Sequence, residues 1–492
     1  MRRNNPIVAI AAIVLISISS LSLAQQPLDR TKVPPPGPTP VLRVPEWTKT
    51  KLSNGATLIV SERHSLPLVS FNITFVGGSN QFEPADKHGV AALTSAMMTE
   101  GTKTRTGDEL SDALQLLGTG LDGNIGGEEG NVGFVSTAQN FEPTLAILAD
   151  MMLNSIFPVD ALERLRGRTL VNLTQARDQP TVVGAQVFAK VLYGGAHPYG
   201  QRATETSIKA ITRDDVVAFQ KAYYQPGRAI ITVVGDTTAV KAKVAIEKGL
   251  AGWTKAGSAP TFDYPKLPEL QPAKIYLVDK PGAAQSVFNI GLPGPSRNTP
   301  DYFALQVLNT ILGGQFQSRL NANLREQKGY SYGVNSAFGF GKGPGAFRAG
   351  GSIFSAKTDA ALIEFMKELK GIEGERPITD EELKTAKDNL IQGLPGRFAS
   401  VTAISASITS LAVQGLPDDY YQNYAKNVST VTKDDLLRVA KKYIDLDHLA
   451  IVIVGDLSAV EASLKATNIA PITYLDLDGN PVTGAGSGAT NR

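Results

Sequence analysis

The stretch I-T-R-D-D-V-V-A-F-Q-K-A-Y-Y-Q-P-G-R-A-I-I-T-V-V-G-D-T-T-A-V at residues 211–240 returns as V-T-K-D-D-L-L-R-V-A-K-K-Y-I-D-L-D-H-L-A-I-V-I-V-G-D-L-S-A-V at residues 431–460. The two align without a gap, with about a third of positions identical, which marks an internal duplication. Thr212 and Thr432 each stand where a helix N-cap belongs, and the two Asp residues that follow suit the positive end of a helix dipole. Each helix gives way to an apolar, β-branched run ending in Gly-Asp, the pattern of a buried strand and its turn. At the front ends, Phe71-Asn72-Ile73 and Phe288-Asn289-Ile290 also correspond, at nearly the same separation. The chain is therefore read as α+β, two homologous domains.

Working outward from the repeat, its boundaries follow from composition. Arg2 and Arg3, an apolar run from Ile7 to Leu23, and small residues at Ser22 and Ala24 predict a cleaved signal peptide over residues 1–24. Residues 25–47 form a Pro-rich linker, 48–255 the first domain, 256–272 a second linker, and 273–470 the second domain. A disordered tail is expected over residues 471–492, Gly-, Thr- and Asn-rich from about Gly479. The mature chain is expected in the periplasm, with no stable membrane insertion after cleavage.

Composition excludes several functions. There is no cysteine, so disulfides, thiolate metal sites and cysteine nucleophiles are absent. The net charge of +2 and the lack of a long basic stretch argue against nucleic acid as a partner.

Several separated segments carry a resemblance. L-S-N-G-A-T-L-I-V from position 52, S-F-N-I-T-F-V-G-G-S-N from 70, and G-V-A-A-L-T-S-A-M-M-T-E-G-T from 89 resemble the opening of the pitrilysin/insulinase family of zinc metallopeptidases. H-P-Y-G at 197–200, G-G-Q-F-Q-S-R-L-N-A-N-L-R-E-Q-K-G-Y-S-Y-G-V at 313–334 and T-D-E-E-L-K-T-A-K-D-N-L at 379–390 continue it in family order, within the branch that contains mitochondrial processing peptidase. The resemblance implies that each domain is a mostly antiparallel sheet packed with helices, the chain forming half of a clam-shell.

That resemblance makes absent residues informative. Active members carry H-x-x-E-H, whose two His meet one zinc ion from one helix face while the Glu activates its water. Here Ala92, Ser95 and Ala96 stand at those positions, and Asn172 stands where a further Glu ligand is expected. The four histidines, His64, His88, His197 and His448, offer no pair within one helical turn; His88 reads as a capping or surface residue. Small residues at 92, 95 and 96 suggest close packing of that helix. No metal or other cofactor is expected in this chain; zinc is expected in a partner.

In two-subunit members of the branch, one chain supplies zinc and the other an Arg and a Tyr. The resemblance carries those roles to Arg325 and Tyr332, where a guanidinium and a phenol can stabilise developing oxyanion charge. Strand alternation would place Tyr330 on the face of Tyr332, as a second candidate or as the packing residue that positions it. On local sequence alone, both are an ordinary helix charge and strand aromatic. The expected role is a non-catalytic, substrate-binding subunit that is inactive alone and forms a heterodimer with a zinc-bearing homologue acting on peptides. The alternative is a proteolytically inactive homologue that binds peptides or serves envelope assembly. G-F-G-K-G-P-G at 339–345 reads as a hairpin loop, with no strand–Gly-rich–helix context for phosphate. Residues 118–133 look like the family's edge-strand region, with structural value in this domain.

Overall fold

The computed structural model describes residues 42–483. The predicted signal peptide, the front of the Pro-rich linker and residues 484–492 lie outside the described residues. The first domain holds β1 (Thr48–Lys51), β2 (Thr57–Glu62), β3 (Leu68–Val76), β4 (Asp122–Ile125), β5 (Glu129–Thr137) and β6 (Ala229–Gly235). The second holds β7 (Lys274–Asp279), β8 (Gln285–Pro293), β9 (Ser331–Phe338), β10 (Ala346–Phe354), β11 (Ala450–Gly455) and β12 (Ile472–Leu475). The sheet orders are β1-β2-β6-β3-β5-β4 and β12-β7-β11-β8-β10-β9. Both sheets are mixed: β2 and β6 are parallel in the first, and β7 runs parallel to both β11 and β12 in the second.

The duplication is visible down to the register. Phe71 lies opposite Val233 and Ile73 opposite Ile231; Phe288 lies opposite Ile453 and Ile290 opposite Ile451. These inward side chains are buried, each contributing roughly 1.5–3 kcal/mol by leaving water. The helices before β6 and β11 also match. Arg213–Tyr223 begins at Thr212, whose side chain accepts from the Asp215 N–H, and Lys433–Tyr443 begins at Thr432, which accepts from the Asp435 N–H. In both, the Asp carboxylate returns the bond to the cap backbone, so two orphan donors are satisfied at once.

The domains exchange one helix each. Pro180–Tyr193, from the first domain, lies on β8 and β11 of the second sheet. Val401–Gln414, from the second, lies on β3 and β6 of the first. The cores merge as a result: Ile59, Ile230 and Val234 of the first sheet belong to the same buried cluster as the second domain's interior.

Two boundaries differ from the sequence reading. Residues 42–47 are not a free spacer, because Leu42, Val44 and Trp47 pack on the merged core and Ser61 Oγ donates to the Glu46 carbonyl at 2.8 Å. The tail does not begin at 471, because β12 pairs with β7 and buries Leu475. Among the described residues, no single helix is long and apolar enough to cross a membrane.

Candidate functional site

The helix Val90–Met97 carries the degenerate motif. Its start is built by Glu83, whose carboxylate accepts from the N–H groups of Gly89 and Ala91, each at 2.9 Å. Gly89 sits at φ 103°, a left-handed conformation that favours glycine, and a Cβ there would meet Ile208 at 2.4 Å. His88 stands beside Glu83, its Nδ1 3.4 Å from the carboxylate, so the cap is Glu83 and His88 its neighbour. Val90, Ala91, Leu93 and Met97 face the core. Ala92 is exposed, while Ser95 and Ala96 are half-buried.

This helix packs against Val159–Ala176, which presents exposed Asn172, and against β4. The fold therefore brings together the elements that carry all four motif positions. The residues do not fit zinc: alanine offers no donor, and Ser95 and Asn172 are neutral oxygen donors rather than imidazole or carboxylate. Among the described residues there is no group of three or more His, Asp or Glu placed to hold a metal. The close packing expected at position 92 is not realised, since a cavity of about 280 Å³ opens there, bordered by His88, Ala92 and Arg202. The remaining histidines have local partners. His64 pairs with Asp236 at 2.8 Å, His448 with Asp445 at 2.7 Å, and buried His197 accepts the Tyr199 N–H at Nδ1.

Strands β4 and β9 are counterparts at the sheet edges. The register of the β4–β5 hairpin turns the N–H groups of Gly123 and Ile125 away from β5, and neither meets an acceptor among the described residues. Edge β9 is covered instead. Ser336 N–H donates to the Gly313 carbonyl at 3.0 Å and Val334 N–H to Asn321 Oδ1 at 3.3 Å.

Arg325 and Tyr332 flank that covered edge. Arg325 lies half-buried in a π-helical turn, Ala322–Gln327, with its guanidinium 4.4 Å over the exposed Phe316 ring and 3.1 Å from Glu326. Tyr332 is 80% exposed and edges onto Phe354 at 5.5 Å between centroids. A register shift explains its exposure: Tyr332 and Gly333 together oppose Ser352, a bulge that re-aims the side chain. Tyr330 does not share its face. It precedes the strand, donates its N–H to the Leu324 carbonyl at 2.8 Å and packs partly on the core, so it is the packing residue of the two.

A polar network missed in the sequence anchors the Arg325 turn. Arg319 binds Glu382 at 2.7 and 2.8 Å, and Asn323 donates to Glu364 and Glu368 at 2.8 Å each. Glu368, buried, is held in turn by Arg376. Burial alone would raise the Glu382 carboxyl, but Arg319 and the Thr379 N–H hold it down at about 2. The only sequence signal was the capping box T-D-E-E at 379–382, which betrays a helix start and not its long-range ion pairs.

Comparison with known proteins agrees with this architecture. The family profile described as "Insulinase (Peptidase family M16)" matches residues 58–196, and "Peptidase M16 inactive domain" matches residues 210–390. The chain belongs to peptidase family M16, as a member without the H-x-x-E-H motif. The term inactive in the second profile attaches to the matched segment, whereas the missing metal ligands lie in the first domain. Similar proteins include an uncharacterized zinc protease of Mycobacterium leprae, 24% identical over 70% of this chain and 78% of its own length. Another, of Rickettsia felis, is 24% identical over 80% of this chain and 94% of its own length. Among solved structures, the peptidase M16 inactive domain from Pseudomonas fluorescens superposes with a TM-score of 0.77 at 25% identity, covering 84% of this chain and 99% of that one. A protease from Helicobacter pylori has a TM-score of 0.76 at 20% identity, covering 83% and 99%, a likeness of fold.

Proposed function

We propose that this chain is the non-catalytic, substrate-binding subunit of a periplasmic two-subunit zinc metallopeptidase, paired with a homologue that carries zinc. The observation that carries the reading is the division within one chain. The motif helix offers neither imidazole nor carboxylate at the metal positions, while Arg325 and Tyr332 are presented by an anchored turn and a bulge that serve no internal contact needing both. In this reading the partner supplies zinc and its water-activating Glu. Arg325 and Tyr332 hold the peptide backbone and stabilise negative charge on the carbonyl oxygen as it becomes tetrahedral. Mutating both, Arg325→Ala with Tyr332→Phe, in a purified stoichiometric complex is expected to lower kcat/KM about 100-fold or more without moving the melting temperature. Unchanged activity would refute the role of the pair.

The open edge of β4 favours a second reading, a peptide-binding protein without proteolysis. An extended peptide can add to free N–H and C=O groups with no metal present. Peptide affinity in the lone chain, with no zinc-bearing partner able to form a complex, would select this reading over the first.

A further inference from the structure

The glycine-rich hairpin between β9 and β10 is closed around a single carboxylate. Glu128 lies in the turn between β4 and β5, in the first domain, and its side chain enters the loop of residues 339–345 in the second. Oε2 accepts the Lys342 N–H at 2.7 Å, and Oε1 accepts the Gly343 N–H at 3.2 Å and the Tyr264 hydroxyl at 2.6 Å. The Tyr199 hydroxyl also donates to Oε1 and accepts from the Gly343 N–H at 3.1 Å, while Gln81 donates to the Tyr264 oxygen at 2.9 Å. The Lys342 ammonium is not part of this set; it donates to the Val413 carbonyl near the end of Val401–Gln414. Two backbone donors and two phenols thus converge on one carboxylate, the arrangement of a backbone nest completed by aromatic hydroxyls.

The glycines let the loop approach this closely. A Cβ on Gly341 would lie 2.9 Å from both Glu128 Oε2 and the Tyr199 oxygen, and one on Gly343 would lie 2.6 Å from the Tyr264 ring. Burial first, and then the Glu128 contact, push the Tyr264 hydroxyl up to about 12 and the Tyr199 hydroxyl in the same direction, so both remain protonated donors. The turn that Glu128 anchors is also the end of β4, whose outer edge is open.

We infer that the hairpin 339–345, with Tyr199 and Tyr264, is a carboxylate receptor occupied by the chain's own Glu128, and that this clasp fixes the open β4 edge against the second domain. Emptied of Glu128, the receptor takes small carboxylates. Nothing in the inference requires a partner subunit, so it stands or falls apart from the heterodimer reading.

The test is Glu128→Ala, melted in sodium acetate or formate against sodium chloride at equal ionic strength, with hydrogen exchange read over residues 122–137. The variant is expected to melt below the parent, to recover saturably with acetate and not with chloride, and to exchange at least tenfold faster at β4 and β5. The parent should ignore acetate. Equal melting and exchange in variant and parent, or equal response to acetate and chloride, would overturn the inference. Should Glu128→Ala fail to fold, Glu128→Gln and Tyr264→Phe are read by the same exchange. Faster exchange in both supports the clasp, and parent-like exchange in both overturns it.

Discussion

The two sheets share strand order and core register, yet their outer surfaces are built oppositely. Over the second sheet, Val183, Val187, Phe188 and Leu192 of the exchanged helix Pro180–Tyr193 meet Val278, Val287, Val452 and Val454 in a largely apolar seam, with buried Asn289 facing Gly184 as its polar member. Over the first, Val401–Gln414 offers Ser405, Thr409 and Gln414 to Ser70, Asn72 and Thr74, and a cavity of about 460 Å³ remains between them. Their edges differ too, β4 open and β9 capped by residues 313–321. Duplication preserved the inward faces, where each methyl is held by close packing, and one outward Asn, at 72 and 289, while the rest of the outward faces diverged. The second domain has the apolar seam and the covered edge; the first has the exposed strand and the motif helix without metal ligands.

The largest expected effect restores what the first domain lacks. Ala92→His, Ser95→Glu, Ala96→His and Asn172→Glu together should raise zinc from none to one ion per chain, measured by elemental analysis. A quadruple variant that folds but stays free of zinc would mean that these four positions do not converge. The two seams should next respond unequally. Phe188→Ala should cost about 3–5 kcal/mol by denaturant unfolding. Thr409→Ala should cost about 1–2 kcal/mol, by orphaning the Thr232 hydroxyl 2.9 Å away in a buried pair. Equal losses would erase the distinction between a mainly apolar and a polar interface.

A charge pair sharpens the comparison further, because its polarity is reversed between domains. Before the motif helix, Lys87 binds Asp215 at 3.0 Å; before Tyr302–Leu312, Asp301 binds Arg438 at 2.7 Å and Lys442 at 2.9 Å. Burial would raise the Asp301 carboxyl, but Lys442, Arg438 and Tyr443 outweigh it and hold it at about 2. A depressed carboxylate contributes stability that is present above its unfolded value near 4 and is lost as pH falls toward 2. Asp301→Asn should therefore cost on the order of 1–2 kcal/mol at pH 7, discounted for its half-exposed cations, and progressively less as pH falls through about 2. The smallest effects are the matched caps. Thr212→Ala and Thr432→Ala should each cost about 1 kcal/mol, and a marked inequality would break the equivalence of the two helix starts.

Much of this fold was legible because duplication writes the same local signals twice. The Thr-x-x-Asp caps, the β-branched strands and the Phe-Asn-Ile pairs depend on neighbours within a few residues, and the missing motif donors are a matter of counting. The helix exchange was not legible, since Val187 and Ser405 state only their own polarity and not which sheet lies opposite. Trp47 in a Pro-rich run and Tyr474 in a presumed tail were missed because short segments gain structure from a distant core or strand. The exposure of Tyr332 comes from a one-residue bulge, which period-two alternation cannot foresee, and the Glu128 clasp joins residues more than 200 positions apart.

The most direct test is zinc content and peptidase activity of the purified chain, alone and co-purified with a homologue that carries H-x-x-E-H. Neither zinc nor activity is expected in the lone chain, and both are expected in a stoichiometric complex that loses activity with Arg325→Ala and Tyr332→Phe. Stoichiometric zinc and peptide cleavage by the lone chain would contradict this expectation.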